Sequence, residues 1–217
     1  MTGEAAPPPR LDPDLVRAGE AVSEYGPAAI DALLDGIAER LDEGASVNDG
    51  TVVKLLETCK HARGFGQMLE IAEIFSEVAD DLRIPILQCQ AWIDIGEYRM
   101  AARRLQRLLR QVRGLEVSRQ SLGLQSEVMG LLGRAYKQAF VCHADEGDRD
   151  RAAWALKRAA HFYEMAYDLD PAWHGANLAA LAWRAEREGI ALPVSAEAAG
   201  EKLLHDLAAT PRPDAWG

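Results

Sequence analysis

Arginine side chains are concentrated in one stretch of the sequence. Residues 99–120 contain seven arginines and a single acidic residue, Glu116, in a chain whose net charge is -10. On a helical projection of residues 97–113, five of these arginines share one arc and apolar residues occupy the opposite arc: Arg99, Arg103, Arg107, Arg110 and Arg113. Such a row could bind an acidic segment of a partner protein, a nucleotide or a nucleic-acid backbone. The alternative is a solvated helix face whose arginines pair within the molecule with Glu70, Glu73, Glu77, Asp80 and Asp81.

A second set of polar residues falls on the first helices of predicted helix pairs. In stacked pairs, these helices line the concave surface, which is the usual binding face. The candidates are Lys54, Glu57, Gln88, Gln90, Asp94, Arg134, Lys137, Gln138, Asn177 and Arg184. Arg134 and Lys137 could bind a carboxylate there. The alternative is that acidic residues of the hairpin at 145–150 hold both cations.

Other reactive residue types lack the spacing that catalysis or metal binding requires. Cys142 and His143 are neighbours on a predicted helix and point about 100° apart, so they do not form a dyad. The remaining histidines show no HExxH spacing, and the acidic loop 144–150 departs from the EF-hand order. There is no GxSxG and no Walker motif. We predict no catalytic residue, no cofactor and no metal site.

A repeated hydrophobic spacing determines which elements must position these residues. Apolar residues follow Phe65, Tyr98 and Leu156 with the same gaps of two, three and two residues. They are Met68, Ala72 and Phe75; then Ala101, Leu105 and Leu108; then Ala159, Tyr163 and Ala166. This helical spacing, with Phe65 and Tyr98 separated by about the 34 residues of a tetratricopeptide repeat, predicts antiparallel helix hairpins. The fold class is therefore all-α, with hairpins stacked into a superhelix of about ten helices.

Two segments resemble tetratricopeptide repeats (TPRs), residues 84–113 and 129–171. The matching residues are Trp92, Gly96, Tyr98 and Ala101 in the first, and Leu132, Gly133, Tyr136, Ala159, Tyr163, Ala166 and Pro171 in the second, which has a longer hairpin. The string 133–137 (GRAYK), with Phe140, Asp170-Pro171, Gly175 and Asn177, also resembles the TRAFs-binding domain. That domain is known from MAP kinase kinase kinases and bacterial TPR proteins. The resemblance covers roughly residues 50–190 and implies a helical, non-catalytic, protein-binding or regulatory module.

The chain divides by composition and periodicity into four segments. Residues 1–10 are predicted to be a flexible arm, and 11–48 a capping helical hairpin whose apolar stripe includes Leu33. Residues 49–190 are predicted to be the repeat domain, and 191–217 a capping helix with a tail. Ser195 is the predicted N-cap of that helix, and its predicted apolar face consists of Leu203, Leu204 and Leu207. Core packing is the predicted role for most of Trp92, Trp154, Trp173 and Trp183. Trp216 lies in the polar tail and could dock into another subunit, which makes a homo-oligomer through the C-terminal tail possible.

Bulk properties exclude several classes of protein. The net charge argues against affinity of the whole protein for nucleic acid or an anionic membrane. Three cysteines without CxxC spacing argue against a disulfide scaffold, and no signal peptide or membrane span is present, so a cytoplasmic location is expected. We predict a non-enzymatic interaction scaffold that binds and controls a partner effector protein. The alternative is a nucleotide- or nucleic-acid-responsive adaptor that uses the arginine row.

Overall fold

A computed structural model describes residues 9–209, and the secondary structure in this range is helical apart from one isolated bridge between Arg10 and Ser46. The α-helices are α1 Asp12–Tyr25, α2 Asp31–Asp42, α3 Asp49–His61, α4 Phe65–Ile74, α5 Arg83–Asp94, α6 Tyr98–Arg113, α7 Arg119–Asp145, α8 Arg149–Ala166, α9 Ala176–Arg187 and α10 Ala196–Ala209. The all-α, TPR-like fold is confirmed. Most of the predicted arm (residues 1–8) and the tail with Trp216 (residues 210–217) lie outside the described residues, as does any contact made through that tail.

Helix starts follow from local capping chemistry. The Asn48 side chain caps α3, and Asp148 caps α8 by accepting from the backbone N–H of Arg151 at 3.1 Å. Ser118 and Ser121 form a capping box at the start of α7. Helices α4 and α6 begin at Phe65 and Tyr98, which are the first residues of two of the repeated spacings.

The chain forms two compact units, and the first ends at Ile95. In it α1 packs against α3, α3 against α4, and α4 against α5, around a core that includes Leu34, Leu56, Met68 and Phe75, all fully buried. A pair of hydrogen bonds joins the loop between α4 and α5 to the start of α3. One carboxylate oxygen of Asp49 accepts hydrogen bonds from the backbone N–H groups of Asp80 and Asp81, both at 2.9 Å.

The second unit begins at Gly96 and is built on α7. This helix packs against α6 and α8, and α8 and α10 both pack against α9. The predicted spacing is buried as expected: Leu156, Ala159, Tyr163 and Ala166 are each at most 1% exposed. A Cβ atom built on Gly133 would lie 2.7 Å from the ring of Tyr163, so the small residue permits the close approach of α7 and α8.

Three of the four tryptophans assigned to the core are on the surface, and the prediction is wrong for them. Trp154, Trp173 and Trp183 are 53%, 61% and 55% exposed, whereas Trp92 is half-buried. Helix geometry gives the reason for two of them. Trp154 lies about 180° around α8 from Tyr163, and Trp183 lies about 140° around α9 from Leu178, so both point away from the buried side.

Apolar side chains on the first turns of α2 and on α10 also differ from expectation. Leu33 belongs to the predicted apolar stripe of the first hairpin but is exposed. Leu204 and Leu207, predicted to lie on the apolar face of the last helix, are both exposed, and the buried residue of α10 is Ala199. Ser195 is confirmed as the N-terminal cap of α10, since its hydroxyl oxygen accepts from the N–H of Ala198 at 3.1 Å.

Candidate functional site

The predicted concave-face residues of the second unit lie on α7 and α9. Lys137 and Gln138 follow Arg134 on α7 by three and four residues, so both lie next to it on one face of that helix. Asn177 lies opposite on α9. The ammonium group of Lys137 donates a hydrogen bond to Asn177 Oδ1 at 3.2 Å. We call Arg134, Lys137, Asn177 and Arg184 the cationic groove.

The amide of Asn177 is held in a fixed orientation. Its Nδ2 donates to the backbone carbonyl of Trp173 at 2.9 Å, so its Oδ1 faces Lys137. At the other end of α9, the guanidinium group of Arg184 lies 5.3 Å from the centre of the Phe140 ring and pairs with Glu188 at 2.8 Å. These contacts bring α7 and α9 together along one side of the second unit.

The electrostatics of the cationic groove favour an anion. Burial lowers the pKa of the Lys137 ammonium, and the nearby charge of Arg134 lowers it further. Both causes penalise the charged form of the lysine, and the attraction of a bound negative charge would offset that penalty. The hydrogen bond of Lys137 to Asn177 supplies only a neutral oxygen.

Two of the hairpin acids, Glu146 and Asp148, have other contacts. Asp148 caps α8 and pairs with Arg151 at 3.4 Å, and Glu146 lies 3.2 Å from the His143 ring. For Lys137, the alternative in which a hairpin carboxylate holds the ammonium group is therefore not what the structure shows. Gln138, the remaining predicted residue of this face, has a buried Oε1 without a hydrogen-bond partner among the described residues.

The other predicted concave-face residues belong to the first unit and are not part of this groove. Lys54 lies on α3 beside a pocket of about 470 Å³, which Leu15, Gly19 and Thr58 also line. Glu57 is exposed on the same helix, and Gln88, Gln90 and Asp94 lie half-buried on α5.

The predicted arginine row is on the surface of α6. Arg103, Arg107 and Arg110 are exposed, and none of them makes an ion pair within the described part of the second unit. Gln106 lies within the same arc, and its Nε2 donates to the Tyr136 hydroxyl oxygen at 2.8 Å. This edge of the arginine row therefore faces α7. Asp81 is one of the acids predicted as alternative partners of the arginine row, and it pairs with Arg83 at 2.6 Å in the first unit.

An aromatic cluster adjoins the arginine row. The Tyr136 ring stacks on the Phe162 ring, with 5.7 Å between the ring centres. It meets the Trp154 ring edge to face, with 5.4 Å between the centres. The guanidinium group of Arg158 lies over the rings of both Tyr136 and Phe162, at 5.5 and 4.9 Å from their centres. Trp154 is the outermost ring of the cluster and extends into solvent.

The comparisons with known proteins identify the repeats. The family described as Tetratricopeptide Repeats-Sensor matches residues 64–182, which is more than half of the chain. The chain belongs to this TPR-sensor family. A search of curated proteins and a search of solved structures found no significant match. The narrower resemblance to the TRAFs-binding domain is not confirmed by this match.

Membership in the TPR-sensor family has a direct functional meaning. Repeats of this type are generally non-enzymatic scaffolds for protein interaction, so the chain has an interaction or sensor role and its partners include proteins. The matched region contains α7, α8 and most of α9, and so holds nearly all of the cationic groove. No helix in residues 9–209 is long and apolar enough to cross a bilayer, and no cluster of metal-ligating side chains occurs in that range.

The TPR-sensor region also contains a buried histidine that the sequence did not single out. His174 is 1% exposed and lies in a π-helical turn, Pro171–Gly175. Its Nε2 is 2.8 Å from the Ser126 hydroxyl oxygen, while Nδ1 is buried without a partner. The neutral tautomer with the proton on Nε2 fits this setting, because Nδ1 then carries a lone pair rather than an unpaired N–H. Burial lowers the pKa of His174, and Asp170 opposes the shift without cancelling it.

We expect His174 to make stability depend on pH. Because its pKa is lowered in the folded state, the unfolded chain takes up the proton first as pH falls below about 6.5, and the free energy of unfolding decreases there. Replacing His174 with Gln should flatten the dependence between pH 7 and 5. Urea unfolding at a series of pH values measures this, with His61→Gln, at an exposed position, as the control. If the free energy of unfolding changed with pH by the same amount in the wild type and in His174→Gln, the prediction would be contradicted.

Proposed function

We propose that this protein is a non-enzymatic regulatory adaptor of the cytoplasm, and that its cationic groove binds an acidic segment of a partner effector protein. The observation that carries the proposal is the setting of Lys137. Its ammonium group is half-buried beside Arg134, and its hydrogen bond goes to the neutral Asn177 amide. A carboxylate bound there would place a negative charge against the ammonium group, an interaction stronger than the hydrogen bond to a neutral amide oxygen that it replaces.

We infer control of the partner from the hydrogen bond that a bound carboxylate would break. The Lys137 to Asn177 bond connects α7 with α9, and Asn177 is also bonded to the carbonyl of Trp173. A carboxylate that takes Lys137 from Asn177 removes one link between these two helices. Binding therefore acts directly on the position of α9 and of the π-helical turn before it, which gives the groove a means to signal occupancy.

The test uses a fluorescent peptide of ten glutamates and its glutamine counterpart. We expect the glutamate peptide to bind, and Lys137→Gln to weaken binding about tenfold, as the loss of one charge-assisted hydrogen bond implies. Lys157→Gln is the matched control, because Lys157 is an exposed lysine on α8. Fluorescence anisotropy measures each dissociation constant. Equal losses in the two variants would show that attraction is unspecific and would contradict the proposal.

A second measurement concerns the natural partner. Affinity capture from the host with the wild type and with Lys137→Glu should differ in one protein, and that protein should bind through an acidic segment. Deletion of this segment from the captured protein should abolish its binding to the wild type. A partner that binds both forms equally would show that the cationic groove is not its site.

A further inference from the structure

The net negative charge of the chain comes from the first unit. Residues 1–95 contain seven Lys and Arg against 18 Asp and Glu, a net charge of -11, whereas residues 96–217 contain 17 against 16, a net charge of +1. Helices α6, α7 and α8 together have 13 basic and four acidic residues, and α6 has six arginines without an acid. The net charge of the whole protein therefore says little about what the second unit attracts.

This positive charge lies beside one exposed aromatic side chain, that of Trp154. Gln106, within the arginine arc of α6, bonds to Tyr136, and the Tyr136 ring contacts Trp154 on α8. Arg103 and Arg110 are three and four residues from Gln106 and so border the same surface. We call Arg103, Gln106, Arg110, Tyr136, Trp154 and Arg158 the Arg/Trp surface. It is separate from the cationic groove, since Tyr136 lies about 200° around α7 from Arg134.

The combination of groups distinguishes between anionic partners. An acidic peptide could pair with the arginines, but its carboxylates would make no stacking contact with the half-exposed indole. A nucleic-acid duplex would contact the arginines through its phosphates while its bases stay stacked inside. A single strand can use both features, since its phosphates pair with cations and its bases stack on aromatic rings. The row from Arg99 to Arg113 is about 21 Å long, so it can contact several successive phosphates of one strand.

We propose that the Arg/Trp surface binds single-stranded nucleic acid, with phosphates on the α6 arginines and a base on Trp154. Arg158 supports this arrangement by lying over Tyr136 and Phe162, which holds the aromatic cluster in place beneath Trp154. The inference is independent of the proposed function, because it uses other residues on another side of α7.

The probe is a fluorescent single-stranded DNA of twelve thymidines, titrated with the full chain at 50 and 200 mM salt. We expect affinity to fall with salt, because each neutralised phosphate contributes about 0.7 to the logarithmic slope. The variant carrying Arg103→Gln and Arg110→Gln should bind more weakly and lower the slope by about 1.4. Trp154→Ala should weaken binding about tenfold, as expected for the loss of one stacked base, and leave the slope unchanged. Trp154→Phe should retain most of the affinity.

Two controls separate this surface from others. Trp183→Ala removes an equally exposed tryptophan next to an arginine, Arg187, and should not change affinity. Lys137→Gln should also bind the strand like the wild type, so that a failure of one proposal leaves the other testable. Circular dichroism checks that each variant is helical.

Several outcomes would overturn the proposal. They are no binding at 50 mM salt, equal affinity for a duplex of the same length, complete displacement by the ten-glutamate peptide at similar concentration, or no effect of Trp154→Ala. Preference for the single strand together with loss on Trp154→Ala would support it.

Discussion

Replacing Phe75 with Ala should destabilise the first unit by about 3–5 kcal/mol, the usual cost of removing a buried aromatic side chain. Phe75 follows the last residue of α4 and is fully buried within the core cluster of the first unit. Its removal combines the lost transfer free energy of the ring with a cavity that rigid helices fill only in part. Urea unfolding followed by circular dichroism measures the loss.

Val78→Ala is the control for this change. Val78 lies three residues further along the same segment and is 53% exposed, so its truncation should cost no more than about 0.5 kcal/mol. Hydrogen exchange assigns the effect to a unit, since protection should decrease in α1 to α5. A loss of less than 1 kcal/mol for Phe75→Ala would mean that this residue does not hold the core together.

Phe75 also shows why the helices could be predicted from the sequence. It is the last residue of the first repeated spacing, and the corresponding residues Leu108 and Ala166 are buried as well. A spacing of three and four residues repeated in this way is compatible with one side of a helix and with no strand. Gly64 and Gly96 precede α4 and α6, so the starts of those helices were predictable too.

The contacts within the candidate site were less predictable. The sequence indicated Arg134 and Lys137 because they are one turn apart on a helix, but Asn177 is 40 residues away from Lys137 and its contact depends on how α9 packs. No local rule predicts such a pair. The π-helical turn that exposes Trp173 and buries His174 could not be predicted either. A helix that begins at Pro171 is expected to be an ordinary α-helix, and nothing in the sequence indicates a π-helix there.

The positions of Trp154 and Trp183 could have been predicted. Each lies opposite the apolar residues of its own helix, and a helical projection of α8 and α9 shows this directly. Residue type favoured burial, whereas position on the helix favoured exposure, and position is the better guide for a side chain that is rarely fully buried. Exposed tryptophans are informative because aromatic residues are enriched where proteins bind other molecules.

Helix α7 connects the two surfaces proposed to bind ligands. Arg134 and Lys137 line the cationic groove on one side, and Tyr136 forms part of the Arg/Trp surface on the other. A rigid helix between two sites allows one ligand to affect the other, provided that α7 has two arrangements that the ligands favour differently. The position of α7 against α8 brings Tyr136 beside Trp154 and is therefore the structural feature on which the Arg/Trp surface depends.

Replacing Gly133 with Val tests that position, and should destabilise the second unit by about 3 kcal/mol. Even a single Cβ at Gly133 would lie 2.7 Å from the Tyr163 ring, which is almost completely buried and has no room to move. The two further carbons of valine would force α7 and α8 apart. Thermal and urea unfolding measure the loss, and hydrogen exchange should show lower protection in both helices.

Gly123 provides a matched control on the same helix, because a Cβ built there meets nothing within 4 Å. Gly123→Val should be neutral or slightly stabilising, since valine has a higher helix propensity than glycine. If contact with Tyr163 is the cause, Gly133→Val should cost less in a Tyr163→Leu background than in the wild type. Equal costs in the two backgrounds would show that the close approach of α7 and α8 does not depend on this pair of residues.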